Sequence, residues 1–329
     1  MKRYLLIVSY NIAVIVILAL LLESAVRIFV PGINLSGTSA NLVVDSLYND
    51  SPGIRSDTIG TSGGVEKATN DYHSWKYFKP VNGGVRRLLY LGDSVTMGIS
   101  VENDSTYAGI VNDNDSIRIV NPSLIGYSSK DYLNVFNSFV EQNRFDLRFS
   151  SVVLFWTLND LYSNYPDENQ PGFSADGFLN GVVNFFRHNS KAYHFLRNLF
   201  SDRSKAYYDY DRQFYTENNP LLSGSIDNIR QISSVCDSLG VKLRVVLLPY
   251  EYQVRNYGES KSGLSRQDIF YPQELMKEKL KGLNITVTDL REAFRDDYKD
   301  SRSYYLYGDG IHFNNKGHRL IAAYLLKNR

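Results

Sequence analysis

The chain has 329 residues, with 36 Lys and Arg against 35 Asp and Glu, and hydrophobic residues make up 43% of it. This length allows one large domain plus an anchor, or two modest domains. The balanced charge gives no global attraction for nucleic acid, so nucleic-acid binding is excluded as a leading function. The single cysteine, Cys236, cannot form an intrachain disulfide, and its spacing indicates a small buried hydrophobe on a helix.

The first element is an uncharged apolar stretch, residues 4–22, that follows Lys2 and Arg3. Nineteen helical residues extend about 28 Å, close to the hydrocarbon thickness of a bilayer. We therefore predict a membrane anchor at residues 1–30, with a cleaved signal peptide as the alternative. The basic residues before the span favour a cytoplasmic N-terminus. The predicted protein is thus a single-pass protein of the cell membrane whose catalytic domain is extracytoplasmic.

After the anchor, the chain divides into a polar lead-in and an ordered region. Residues 31–84 are rich in Gly, Ser, Asn and Asp, which is typical of a stalk followed by irregular structure. Residues 85–329 alternate strand and helix patterns, which predicts a three-layer α/β/α domain with a mainly parallel sheet. The predicted strands are 86–91, 117–120, 152–156, 243–248 and 285–287, and the predicted helices lie near 105–111, 128–139, 225–239, 272–280 and 315–326.

A region rich in aromatic residues, at about 161–222, interrupts this alternation, with a predicted helix from Asp176 to Phe200. We interpret it as an insertion near the open end of the sheet. It could form a lid or substrate wall, or it could add packing only. Most of the 25 tyrosines fall outside the predicted strands, which indicates an aromatic-lined surface.

The residues that could carry chemistry end strands or lie in a late loop. Ser94 follows the first strand, at the edge where open α/β sheets bind ligands; the alternative for its Gly-Asp-Ser triplet alone is an ordinary helix cap. His312 could take the serine proton, and Asp309 could hold the imidazole in the required tautomer. The backbone N–H groups of Ser94 and Gly126 and the side-chain amide of Asn159 are candidate donors to an oxyanion.

Four short motifs in this order make the chain resemble the SGNH, or GDSL-type, hydrolase superfamily. They are Gly92-Asp93-Ser94 with Gly98, Asn121 to Gly126, Asn159-Asp160, and Asp309-Gly310-Ile311-His312. The resemblance covers residues 86–329 apart from the insertion, and implies the SGNH hydrolase fold with a flavodoxin-like sheet and the roles given above. Thr157 stands where the family's asparagine motif usually begins with glycine. Ser123 or Tyr127 could replace Gly126 as the closer backbone donor.

Within that superfamily, the chain resembles the membrane-anchored bacterial form linked to surface polysaccharides. This implies a serine ester hydrolase that acts through an acyl-enzyme and removes O-acyl groups, such as acetyl, from an extracytoplasmic carbohydrate. Polysaccharide-biosynthesis machinery is a candidate partner. The alternatives are an O-acyltransferase acting on a surface polysaccharide and a non-catalytic polysaccharide-assembly protein of the same fold.

The remaining polar residues have simpler interpretations. No cofactor or metal is expected, because His188 and His194, six residues apart, do not share a helical face. Asp93 is predicted to support the nucleophile turn, and Asp160 either to support the site or to cap a strand end. His318 is predicted to make a local hydrogen bond rather than to replace His312.

Overall fold

The computed structural model describes residues 2–30, 33, 86–114, 116–141, 149–162, 181–182, 185–186, 189–258 and 265–328. The predicted lead-in, residues 31–84, therefore lies outside the described residues apart from Ile33, and so does His188. A five-stranded sheet forms the centre of the described part. Its strands are β1 (Arg86–Leu91), β2 (Ile117–Val120), β3 (Ser151–Trp156), β4 (Lys242–Leu247) and β5 (Ile285–Asp289).

All neighbouring strands are parallel, and their order is β2-β1-β3-β4-β5. This is the flavodoxin-like order, in which the chain moves outward from β1 to β2 and then returns to the other side of β1 as β3. Helices cover both faces of the sheet, so the predicted three-layer α/β/α fold is confirmed. The strand order reverses between β1 and β3, and the crevice beyond their carboxyl ends is where such folds bind ligands.

The helices are, in chain order, α1 (Lys2–Phe29), α2 (Ser94–Met97), α3 (Tyr107–Asn112), α4 (Ser129–Glu141), α5 (Lys191–Phe200), α6 (Arg203–Arg212), α7 (Pro220–Leu239), α8 (Glu251–Arg255), α9 (Arg266–Lys279) and α10 (Asn315–Lys327). Short 3₁₀ helices lie at Asn103–Ser105, Leu158–Leu161, Leu290–Phe294 and Tyr298–Tyr304. One face of the sheet packs against α4, α7 and α9, and the other against α3 and α10.

The central strand β3 shows why the sheet needs two covering layers. Val152, Leu154 and Trp156 are buried in the core on the α7 side. Val153 and Phe155 alternate with them and are buried in the core on the α10 side. Because side chains alternate along a strand, a strand covered on both faces needs a continuous apolar run. This pattern is what made the strand visible in the sequence.

Two helices begin earlier than predicted because capping residues, not the apolar spacing, set their starts. Asn219 caps α7 by accepting the N–H of Leu221 at 2.9 Å, and Pro220 occupies the first turn, where its missing N–H has no cost. Ser265 caps α9, which then continues through Pro272. The prediction had placed the start of α9 at that proline.

The described part of the insertion contains α5 and α6. The predicted helix Asp176–Phe200 is described as a continuous helix over Lys191–Phe200. The prediction did not include α6. Its start is marked by Asp202, whose carboxylate accepts the N–H of Lys205 at 3.0 Å.

Helix α1 is long and apolar enough to cross a membrane, and a signal sequence near the N-terminus has the same properties. Its last turns contact the insertion. Val26 and Ile33 are buried with Ala192 of α5 in a small core separate from the two sheet cores. The N-terminal helix and the insertion are therefore packed together at this point.

The close contact between Gly92 and Thr96 predicts a large difference between two glycine substitutions. A Cβ on Gly92 would lie 2.0 Å from Thr96 Oγ1, and Thr96 is fully buried and cannot withdraw. We expect Gly92→Ala to lower the free energy of unfolding by about 1–3 kcal/mol. Gly224, in α7, has no atom within 4 Å of the added Cβ, so Gly224→Ala should raise it by about 0.5–1 kcal/mol. Urea unfolding of the detergent-solubilised chain measures both, and equal effects would contradict the packing.

Candidate active site

The turn that carries the candidate nucleophile, Ser94, joins β1 to α2. Asp93 accepts the N–H of Val95 through Oδ1 at 2.9 Å and so caps α2, as predicted for a residue that supports the turn. Gly98 ends α2 in the left-handed region, with φ of 84°. Ser94 is consequently the first residue of a short helix and lies, mostly buried, just beyond the carboxyl end of β1.

The structure brings Ser94, His312 and Asp309 together. Ser94 Oγ lies 2.8 Å from His312 Nε2, and His312 Nδ1 lies 3.0 Å from Asp309 Oδ1. The same carboxylate oxygen accepts the backbone N–H groups of Ile311 at 2.9 Å and of His312 at 2.8 Å. Asp309 therefore both closes the turn that carries His312 and fixes the orientation of its ring. A ring that donates from Nδ1 has Nε2 free to accept from the serine.

The local charges raise the basicity of His312. Burial disfavours its protonated form, but the charge and hydrogen bond of Asp309, with the charge of Asp93, outweigh it and hold the pKa of His312 above its ordinary 6.5. Burial also raises the pKa of Asp309, and the charge of His312 with its hydrogen bonds more than reverses this, so the pKa lies below its ordinary value. Asp309 is thus a carboxylate, and His312 is well placed to receive a proton from Ser94.

Asn159 lies in the 3₁₀ helix after β3, on the other side of the crevice. Its amide oxygen accepts from the hydroxyl of Thr157 at 2.8 Å and lies 3.0 Å from the hydroxyl of Tyr250. Its Nδ2 points to Asp93 Oδ2 at 3.4 Å, and that oxygen is 3.2 Å from Ser94 Oγ. The donor end of the amide is therefore turned toward the nucleophile. Thr157, which replaces the usual glycine, contributes to this orientation.

Tyr250 carries one hydroxyl proton but lies between two acceptor atoms. Besides the amide oxygen of Asn159, it contacts Asp211 Oδ2 at 2.7 Å. Burial raises the pKa of Asp211, whose other oxygen accepts from Tyr162. Tyr250 thus links the carboxyl group of Asp211 to the amide oxygen of Asn159. The opposite amide orientation would set its oxygen against Oδ2 of Asp93.

Gly126 lies in the loop after β2, the strand that pairs with β1, and has a left-handed φ of 78°. This loop is tied to the nucleophile turn by Asn121, whose Nδ2 donates to the carbonyl of Thr96 at 3.1 Å. The alternative donors are engaged within the loop: the N–H of Ser123 by Asn121 Oδ1 at 3.3 Å, and that of Tyr127 by the carbonyl of Leu124 at 3.4 Å. The oxyanion role of Gly126 stays a prediction.

Two further acidic or basic residues have structural contacts. Asp160 accepts the N–H of Thr157 at 2.7 Å, and the side chain of Thr157 accepts the N–H of Asp160, which forms a capping box at the end of β3. His318 accepts the N–H of Tyr107 at 3.1 Å, and burial lowers its pKa to about 3, so it stays neutral. Among the described residues, no group of three or more His, Cys, Asp and Glu side chains could hold a metal ion.

The prediction missed Tyr250 and Asp211. Tyr250 follows the carboxyl end of β4, and this position at the ligand-binding edge was a signal that could have identified it. Asp211 lies in α6, within the unassigned insertion, and its contact with the site depends on how α6 packs. No local pattern indicates such a contact.

No protein-family model and no curated protein matches the chain. Solved structures with a similar fold include a catalytic mutant of the acetylxylan esterase Axe2 from Geobacillus stearothermophilus, 15% identical, with a TM-score of 0.45, covering 75% of this chain and 94% of that one. A lipase/acylhydrolase from Enterococcus faecalis is 16% identical, with a TM-score of 0.40, covering 74% and 95%. A protein assigned to the lipolytic G-D-S-L family from Desulfitobacterium hafniense is 14% identical, with a TM-score of 0.41, covering 73% and 98%.

The contact of Tyr250 with Asn159 predicts a loss of turnover when its hydroxyl is removed. With Tyr250→Phe the amide oxygen of Asn159 loses one of its two hydroxyl contacts, so we expect kcat for 4-nitrophenyl acetate to fall about tenfold with little change in KM. Tyr252 is the matched control, because it is a buried neighbour whose hydroxyl has no hydrogen-bond partner among the described residues. Tyr252→Phe should leave kcat unchanged. A similar loss of kcat in both variants would reject the orienting contact.

Proposed function

We propose that this chain is a membrane-anchored serine ester hydrolase that acts through an acyl-enzyme on an O-acylated carbohydrate outside the cytoplasm. The observation that carries the proposal is the hydrogen-bonded series from Ser94 Oγ through the His312 ring to Asp309 Oδ1. A nucleophile, a base in contact with it and a group that orients the base are the three parts that serine catalysis requires.

In the first half of the reaction, Ser94 Oγ attacks the carbonyl carbon of the ester while its proton passes to His312 Nε2. The carbonyl oxygen becomes an oxyanion, which we assign to the backbone N–H groups of Ser94 and Gly126 and to Nδ2 of Asn159. When the tetrahedral intermediate collapses, the bond to the alcohol oxygen breaks. His312 Nε2 returns the proton to that oxygen, and the sugar hydroxyl leaves with the acyl group still on Ser94.

In the second half, water repeats the attack. His312 takes a proton from the water, the hydroxide oxygen bonds to the acyl carbon, and the bond to Ser94 Oγ breaks as that oxygen regains its proton. The products are a free carboxylic acid and the starting enzyme. Asp309 keeps its negative charge throughout and stabilises the imidazolium that forms in each half.

Aromatic side chains beside the site support a carbohydrate substrate. Helix α6 reaches the site through Asp211, and the adjoining Tyr210 is exposed and makes edge contacts with Tyr162 and Phe214. Aromatic rings of this kind offer apolar faces to the C–H groups of a sugar. Lys2 and Arg3 at the start of α1 favour a cytoplasmic N-terminus, which supports a site on the other side of the membrane.

The assignment of Ser94 predicts selective loss of covalent labelling. A fluorophosphonate should label the wild-type chain, and Ser94→Ala should abolish both the label and the hydrolysis of 4-nitrophenyl acetate. Ser233→Ala is a control, since Ser233 is also a buried serine but lies in α7. It should retain both. Labelling that persists in Ser94→Ala, with an unchanged circular dichroism spectrum, would refute the assignment.

The raised pKa of His312 predicts an acid limb in the pH profile of kcat/KM. Only neutral His312 can accept the serine proton, so activity should fall as the pH decreases through a pKa above 6.5. Asp309→Asn removes the charge that raises this pKa, so the limb should move to lower pH while the plateau falls by about 10⁴. Asp300→Asn, at an exposed carboxylate paired with Lys316, should change neither. If the acid limb of the Asp309→Asn profile lies at the same pH as in the wild-type chain, Asp309 does not raise the pKa of His312.

A further inference from the structure

The end of α1 is clamped to the insertion at one place. The carboxylate of Glu23 accepts the N–H groups of Lys191 at 3.0 Å and Ala192 at 2.9 Å, and the hydroxyl of Ser190 at 2.8 Å. It thereby caps the N-terminus of α5, where backbone N–H groups lack partners within the helix. Arg27 donates to Glu23 at 2.7 Å and to the carbonyl of Asn189 at 3.1 Å. Hereafter these contacts of Glu23 and Arg27 with residues 189–192 are called the exit clamp.

Two large apolar side chains lie one helical turn before the exit clamp. Phe185 is 61% exposed and Phe186 is 46% exposed, and their rings meet edge to face with centroids 5.6 Å apart. Helical contacts tie them to the clamp, because Asn189 Nδ2 donates to the carbonyl of Phe185 at 2.8 Å and the N–H of Ser190 to that of Phe186 at 2.9 Å. One turn rises about 5 Å, so the phenylalanine pair lies close to the clamp.

The position of the clamp along α1 sets its depth in a membrane. The uncharged run of α1 ends at Leu22, and Glu23 is the next residue. If the run fills the hydrocarbon core, Glu23 lies where the core meets the headgroup layer, which is about 5–8 Å thick on each side. Phe185 and Phe186, about 5 Å along a helix from the clamp, are then within reach of the same boundary. Aromatic side chains are enriched there.

The other end of α5 reaches the catalytic loop. Asn198 is packed so closely on Gly308 that a Cβ there would lie 3.1 Å from its Oδ1. Tyr307 packs against the small core formed by Val26, Ile33 and Ala192. Asp309 follows these contacts directly in sequence. Seven helical residues separate the clamp from Asn198, a rise of about 10 Å, so the loop that carries Asp309 is held near the exit of α1.

We propose that Phe185 and Phe186 form a bilayer-contact surface that inserts into the headgroup boundary of the outer leaflet beside α1. The exit clamp and α5 then hold the catalytic loop at a fixed short distance from the lipid, so that the site works on esters presented at the membrane surface. This inference rests on the proposed membrane anchor. The occupant is lipid rather than another protein because the pair lies one helical turn from Asn189 and Ser190, which contact α1 where its apolar run ends.

The experiment places a fluorophore at the pair in the full-length chain. Cys236 is the only cysteine, so Cys236→Ala gives a background in which Phe186→Cys can be labelled alone with the environment-sensitive dye NBD. The matched control is Leu239→Cys, at an exposed position of similar kind (54%) at the end of α7, on the amino-terminal edge of the sheet. Both chains are reconstituted into phosphatidylcholine and phosphatidylglycerol vesicles, with or without lipids that carry a nitroxide on the upper acyl chain.

We expect the label at position 186 to emit at shorter wavelength than the label at 239 and to lose more than about half of its emission to the nitroxide lipids, as for a side chain buried 5–10 Å below the surface. The label at 239 should be unaffected. Equal emission and equal quenching at the two positions, in vesicles that carry the chain on flotation, would overturn the inference while leaving the anchor intact. Failure to float with the vesicles would overturn the anchor and the inference together. Phe185→Cys provides a second labelling position for the same comparison.

Discussion

The reversal of strand order between β1 and β3 is the constraint on which the site depends. Because parallel strands end at one edge, the turns after β1, β2, β3 and β4 open into one crevice. Ser94 comes from the first of these turns and Asn159 from the third, so the nucleophile and the amide face each other across the reversal. The loop that carries Asp309 and His312 lies over this edge. The hydrogen bond between His312 Nε2 and Ser94 Oγ joins the loop to the turn after β1.

The sequence predicted the features that local patterns encode. The continuous apolar run 152–156 identified the central strand β3, because burial on both faces leaves no other pattern. Ser94 and His312 were found through short motifs at strand ends and loops. The start of α9 was misplaced because Pro272 was taken as a boundary, whereas the cap at Ser265 sets it. Tyr250 could have been found from its position after β4.

Asp211 could not be predicted, because its contact with the site runs through Tyr250 and joins segments that are far apart in the chain. Tyr250 has one proton for two acceptors, the amide oxygen of Asn159 and a carboxyl oxygen of Asp211. Burial raises the pKa of Asp211, although the hydrogen bonds from Tyr162 and Tyr250 oppose this. Asp211, in the insertion, is thus linked through Tyr250 to the side-chain amide of Asn159. Such a dependence exists only once α6 is packed in place.

Helix α6, in the described part of the insertion, also packs against the loop that carries Asp309 and His312. Gly310 adopts a φ of 87°, and a Cβ there would lie 2.7 Å from the backbone of Ser204 in α6. Its carbonyl accepts the N–H of Glu251 at 2.9 Å, and Ser204 Oγ accepts that of Tyr252 at 2.7 Å. Glycine is required at 310 because any side chain would push α6 away from the catalytic loop. Helix α6 thus packs against the loop of Asp309 and His312 on one side and places Asp211 next to Tyr250, the neighbour of Asn159, on the other, so moving α6 would break both sets of contacts.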